Sequence, residues 1–97
     1  MIEVRQTPSF AKWITGLRDI RAKARIDTRI LRLANGNPGD AKFFDSIGEL
    51  RIDYGPGYRV YFVQRGSVLI VLLAGGDKSS QDRDITEAKR LARELKE

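Results

Sequence analysis

Residues 48–81 read GELRIDYGPGYRVYFVQRGSVLIVLLAGGDKSSQ. Leu50, Ile52 and Tyr54 alternate with Glu49, Arg51 and Asp53, the period of two expected of a half-buried strand. Gly55-Pro56-Gly57 has the chemistry of a tight turn. Tyr58, Val60 and Phe62 then alternate with Arg59, Tyr61 and Val63 on a return strand. Arg65-Gly66-Ser67 turns the chain again. Residues 68–74 are nearly all apolar, as suits a central strand buried on both faces. Gly75-Gly76 is predicted to break that strand. The stretch predicts three consecutive antiparallel strands.

The same alternation places its cations. Arg51 and Arg59 have the opposite parity to Leu50/Ile52 and Val60/Phe62, so both project from the other face of the sheet. Lys78 falls just beyond the third strand, in a Gly-rich loop whose backbone amides could also face an anion. Cations set into apolar strands are costly unless an anion binds there. Arg51, Arg59 and Lys78 could together surround one phosphate, the arginines as bidentate forks and the lysine as a point charge.

Working outward, residues 2–6 alternate and suit a short first strand. Thr7-Pro8 starts a helix, with Thr7 as N-cap and Pro8 in the first turn. Phe10, Trp13, Ile14 and Leu17 form its apolar stripe, which marks Trp13 as a core residue. A second helix is predicted over residues 19–34. Ile26, Ile30 and Leu33 line one face, helped by Ala22 and Leu31. Arg21, Arg25, Arg29 and Arg32 line another, a candidate RNA-binding stripe. A solvated face, partly neutralised by Asp27, is the alternative reading. Asn35-Gly36-Asn37-Pro38-Gly39-Asp40 ends the helix. Residues 42–45 suit a further short strand. A last helix is predicted over residues 80–96, capped by Ser79 or Ser80, with Asp82 and Asp84 complementing the dipole of its first turn. Ile85, Ala88, Ala92 and Leu95 make its apolar stripe.

Ninety-seven residues, 41% hydrophobic and 32% charged, suit one globular domain over residues 1–97. The fold class expected is α+β: an N-terminal strand, two helices, a three- to four-stranded antiparallel meander and a C-terminal helix. The formal net charge of +5 favours polyanions or an acidic partner. With no cysteine, disulfides, thiolate nucleophiles and zinc–thiolate sites are excluded. No cofactor or metal is expected. The longest apolar run, residues 68–74, is far short of the ~20 residues of a membrane helix. A soluble cytoplasmic protein is expected.

Cleaving RNA takes a base for the 2′-hydroxyl, an acid for the leaving oxygen, and positive charge for the phosphorane. The chain has no histidine to fill the first two roles. Tyr54, Tyr58, Tyr61, Asp77, Asp82 and Lys78 are the candidates left, with the arginines stabilising charge. Cross-strand packing of the tyrosines, and capping or pairing with Lys78 by the aspartates, are the competing roles.

The strings Arg32-Leu33, Gly36-Asn37-Pro38-Gly39-Asp40, Gly48-Glu49-Leu50-Arg51-Ile52, Gly55-Pro56-Gly57-Tyr58-Arg59-Val60-Tyr61-Phe62 and Leu72-Leu73-Ala74-Gly75-Gly76-Asp77-Lys78, with Gln81 and Asp84-Ile85, carry a resemblance over nearly the whole chain. Together with the element order, they resemble the RelE/ParE toxin superfamily, in its HigB-like addiction module killer protein branch. The resemblance implies a RelE-like fold and a type II toxin. Such a toxin cleaves mRNA in the ribosomal A site, and an antitoxin, often with a helix-turn-helix DNA-binding domain, neutralises it. It implies that Arg59 stabilises the phosphate, with Arg51 and Lys78 as its basic companions, and it adds Gln81 to the further candidates Tyr61, Asp77 and Asp82. Two departures stand beside it: residues 83–97 hold no RelE-type tyrosine, and the histidine of some HigB proteins is absent. They keep two alternatives open, a ParE-like DNA gyrase poison and an attenuated toxin acting mainly in an antitoxin-bound repressor complex.

Overall fold

A computed structural model describes residues 2–95. In chain order the elements are β1 (Glu3–Gln6), α1 (Pro8–Gly16), α2 (Ile20–Ala34), β2 (Ala41–Phe44), β3 (Ile47–Ile52), β4 (Tyr58–Arg65), β5 (Leu69–Asp77), a 3-10 turn (Lys78–Ser80) and α3 (Gln81–Glu94). The fold is α+β. Strands β2 to β5 form an antiparallel meander of four, and β1 adds in parallel to β5, giving the order β1-β5-β4-β3-β2.

The alternation read in residues 48–63 sorts side chains to two cores. Leu50, Ile52, Val60 and Phe62 meet Phe10, Ile26 and Leu33 on one face, which α1 and α2 cover. Tyr61, Val63, Val71 and Leu73 meet Ala88 and Ala92 on the other, which α3 covers. One register shift between Tyr61 and Phe62 lets β5 fit one extra residue against β4.

The helix starts follow local chemistry. Thr7 Oγ1 accepts from the Phe10 amide at 3.1 Å and donates to the Leu73 carbonyl at 2.6 Å, so the cap also pins α1 to β5. Asp19 caps α2 by accepting from the Arg21 and Ala22 amides. Gly36, at φ +87°, lets the chain fold back so that the Asn37 amide donates to the Arg32 carbonyl at 2.9 Å.

Several expectations are corrected. Gly75 and Gly76 do not break the third strand: β5 runs on to Asp77, with Gly75 opposite Val60 and Gly76 opposite Arg59. These glycines are there for space. A Cβ on Gly75 would lie 2.1 Å from the Trp13 ring, and one on Gly76 would lie 1.9 Å from Asp84 Oδ2. Lys78 consequently opens a 3-10 turn rather than sitting in a loop. Leu31 is 61% exposed, because the stripe through Ala22, Ile26 and Leu33 already fills the buried face of α2. Ser80 holds the N-cap position of α3, as one of the two expected serines, but without a side-chain cap bond: its Oγ donates to Asp84 at 2.5 Å, and Ser79 Oγ donates to Asp77. β3 stops at Ile52, leaving Tyr54 in the turn. α3 ends at Glu94, and Lys96 of the predicted helix lies outside the described residues.

Gly75→Ala is expected to lower stability by roughly 1–2 kcal/mol, since Trp13 is wedged against Phe10 and Tyr58 and has little room to retreat. Thermal melting would read this as a drop of about 4–16 °C. An unchanged midpoint would show that the Trp13 contact is soft.

Candidate anion cleft and basic groove

Arg51 and Arg59 are direct cross-strand partners on β3 and β4. Two like charges opposite one another in a sheet repel. The structure offsets this with Glu49, two residues before Arg51 on the same face and fully buried. Glu49 Oε1 takes a hydrogen bond from Arg51 Nε at 3.2 Å. Its Oε2 takes one from Gln81 Nε2 at 2.9 Å and lies 4.0 Å from Arg59 Nε. The carboxylate thus joins both arginines to the start of α3. One negative charge serves two positive ones, so the pair retains excess positive charge.

Above them is a cleft of about 350 Å³, lined by Arg51, Arg59 and Lys78 with the Gly55-Pro56-Gly57 turn and the acidic Asp40 and Asp53. The turn brings Lys78 in: a Cβ on Gly57 would stand 3.5 Å from Lys78 Cβ. The Arg59 side chain is 13% exposed, and its Nε has no hydrogen-bond partner. That nitrogen is buried beside Glu49 and holds the side chain from below, while Arg59 as a lining residue of the cleft presents positive charge to an anion.

The α2 arginines line a second concavity of about 550 Å³, between the helix and the end of β3. They are not equivalent. Arg29 is a clamp: its guanidinium donates to the Arg51 carbonyl, to Pro38 O at 3.0 Å and to Asp40 O at 2.8 Å. Arg25 lies over the Tyr54 ring, 4.7 Å from its centroid. Arg21 and Arg32 are exposed along the groove.

No family model matches this chain. A Haemophilus influenzae (strain ATCC 51907 / DSM 11121 / KW20 / Rd) protein described as "Uncharacterized protein" is 54% identical over 95 residues, covering 97% of this chain and 96% of the relative. The chain belongs to the family of that protein.

For this member of the family, the structure brings Arg51, Arg59 and Lys78 to one cleft and sorts the remaining candidates by what they touch. Gln81 holds Glu49. Asp77 caps the 3-10 turn, accepting from the Ser79 hydroxyl and amide, which hold its carboxyl below the usual range. It is an ionised acceptor at neutral pH rather than a proton donor. Asp82 is exposed in the first turn of α3, on a polar concavity that shares Lys78 with the cleft. Partial burial, then Asp19 and Asp77, push the Tyr58 phenol upward.

Tyr61 is fully buried between sheet and α3. Burial first, then the Glu49 charge, push its phenol far above the ordinary value of 10.0. The hydroxyl approaches Glu49, yet the geometry falls short of a hydrogen bond. A raised folded-state pKa favours the protonated phenol, so this contribution is complete below pH 10 and is lost as pH rises beyond it. Tyr61→Phe is expected to flatten the alkaline fall in stability at little cost near neutrality, as measured by urea unfolding across pH 7–11. An unchanged alkaline fall in the Tyr61→Phe protein would show that the phenol does not set it.

Glu49 was absent from the sequence-derived candidates. Its alternation with Leu50 resembled a solvated strand position, and the only cue was a carboxylate two residues before a cation on the same face.

Among the described residues, no helix is long and apolar enough to cross a membrane.

Proposed function

We propose that this chain is the toxin of a type II toxin–antitoxin pair and acts in the cytoplasm as a ribosome-dependent mRNA endonuclease. The observation that carries the reading is the cross-strand Arg51/Arg59 pair beside Lys78, held in one cleft over a single buried carboxylate. The resemblance to HigB-like toxins supports it. RNA carries its own nucleophile, the 2′-hydroxyl, so the largest service a protein can render is to orient the phosphodiester and stabilise the phosphorane. Arg59 and Arg51 are placed to grip the non-bridging oxygens, and Lys78 adds charge at the rim. The cognate antitoxin is proposed to present an acidic segment to this basic face and to carry a helix-turn-helix DNA-binding domain.

Expression of the chain without its antitoxin tests the reading. Growth arrest with new RNA 5′ ends inside translated messages is the expected result. A ParE-like gyrase poison is the second reading, favoured by the commitment of Asp77 to its cap and of Tyr61 to the core. Intact messages with accumulated cleaved DNA would establish it in place of the first. Normal growth would point to an attenuated toxin acting within a repressor complex.

A further inference from the structure

The α2 groove and the anion cleft share a wall. Ile52 and Asp53 line both. Arg29 lies at the junction and ties α2 to the backbone of Arg51, Pro38 and Asp40, so the two concavities keep a fixed relation. Arg21 and Arg32 form no ion pair among the described residues. They stand eleven residues apart on α2, about 16 Å at the helical rise, which is longer than one nucleotide needs.

The groove also holds a cation–aromatic pair. The Arg25 guanidinium lies over the Tyr54 ring, a pairing of the kind on which unpaired bases stack. A duplex keeps its bases stacked inside and gains nothing from such a pair. Asp53, the acidic residue on the shared wall, repels phosphate, so a strand passing it presents its ribose there and keeps its phosphates over the arginines on either side.

We infer that groove and cleft form one continuous track for single-stranded RNA, in which Arg21 and Arg32 hold phosphates along the groove, next in line to the one in the cleft, and the Arg25–Tyr54 pair stacks a base between them. The inference rests on the reading of the cleft as a phosphodiester site, and it names how the substrate is held.

Binding of labelled 2′-O-methyl oligonucleotides, which cannot be cut by 2′-hydroxyl attack, tests the track by fluorescence anisotropy. An octamer is expected to bind about tenfold or more tightly than a dinucleotide, because more phosphates are neutralised. The exposed double variant Arg21→Ala/Arg32→Ala should lose most of that gain and reduce the salt slope by roughly 1.4. Arg21→Gln/Arg32→Gln repeats the test with less change in shape, and melting confirms that both variants fold. Equal affinity for dinucleotide and octamer, an unchanged octamer affinity in both variants, or tighter binding of duplex RNA or oligoglutamate would each overturn the track. Binding as expected in a chain that cuts no RNA in cells would remove the endonuclease reading and leave the track standing. RNA cutting with an unchanged double variant would do the reverse.

Discussion

Arg59→Ala is expected to abolish growth arrest and to lower RNA cutting by about 10²–10³-fold. The size follows from where the guanidinium sits. It is the least exposed cation of the cleft, at 13%, directly across from Arg51 and 4.0 Å from the one carboxylate beneath it. Its Nε is buried beside that carboxylate without a formed hydrogen bond. The cleft therefore carries a preformed, partly desolvated positive charge, and electrostatic stabilisation of a phosphorane is strongest in such surroundings. Arg59→Lys keeps the charge but loses the fork, and should recover only a small part of the activity. Primer extension on induced messages, with melting curves on both variants, gives the readout. Arrest at parental strength in a folded Arg59→Ala protein would remove Arg59 from the mechanism.

Glu49→Gln is expected to cost about 2–3 kcal/mol of stability. Removing one partner of a buried ion pair typically costs ~3–5 kcal/mol. The lower figure applies because the Arg51 side chain is 36% exposed and stays partly solvated. Most of the loss falls on Arg59, left largely buried with no counter-charge, and on Gln81, whose acceptor at the start of α3 is altered. Urea unfolding should show a lower midpoint with an unchanged slope. Arg51→Ala, at the more exposed end of the same network, should cost less than Glu49→Gln, because the buried Glu49 keeps Arg59 and Gln81. In a parent-like assay, Glu49→Gln should hold RNA at least as tightly, since a negative charge has gone, yet cut it poorly, since the arginines have lost their anchor. A variant as stable and as active as the parent would show that the carboxylate does not position them.

Most of the architecture was readable because it depends on neighbours along the chain. The alternation across residues 49–63 gave both faces of β3 and β4. Thr7-Pro8 marked one helix start through its own cap. The same local logic misread Gly75-Gly76, where glycine looked like a breaker. Trp13 and Asp84, distant in sequence, occupy the space their side chains would take. The arginine stripe on α2 was visible as spacing, but the spacing could not distinguish Arg29, committed to three carbonyls of the loop and β3, from Arg21 and Arg32. The spacing also could not show that Asp77 accepts from Ser79 or that Tyr61 is fully buried.

By itself, then, the sequence determined the order of elements and the face on which Arg51 and Arg59 stand, because helical and strand periodicity are properties of adjacent residues. Tertiary structure alone decided which polar groups are spent on the fold and which are left to meet a ligand. Glu49 is held by Gln81, thirty-two residues away, and Arg29 by Arg51, twenty-two residues away. Burial and hydrogen-bond satisfaction depend on such distant neighbours, and they separate a structural charge from a functional one.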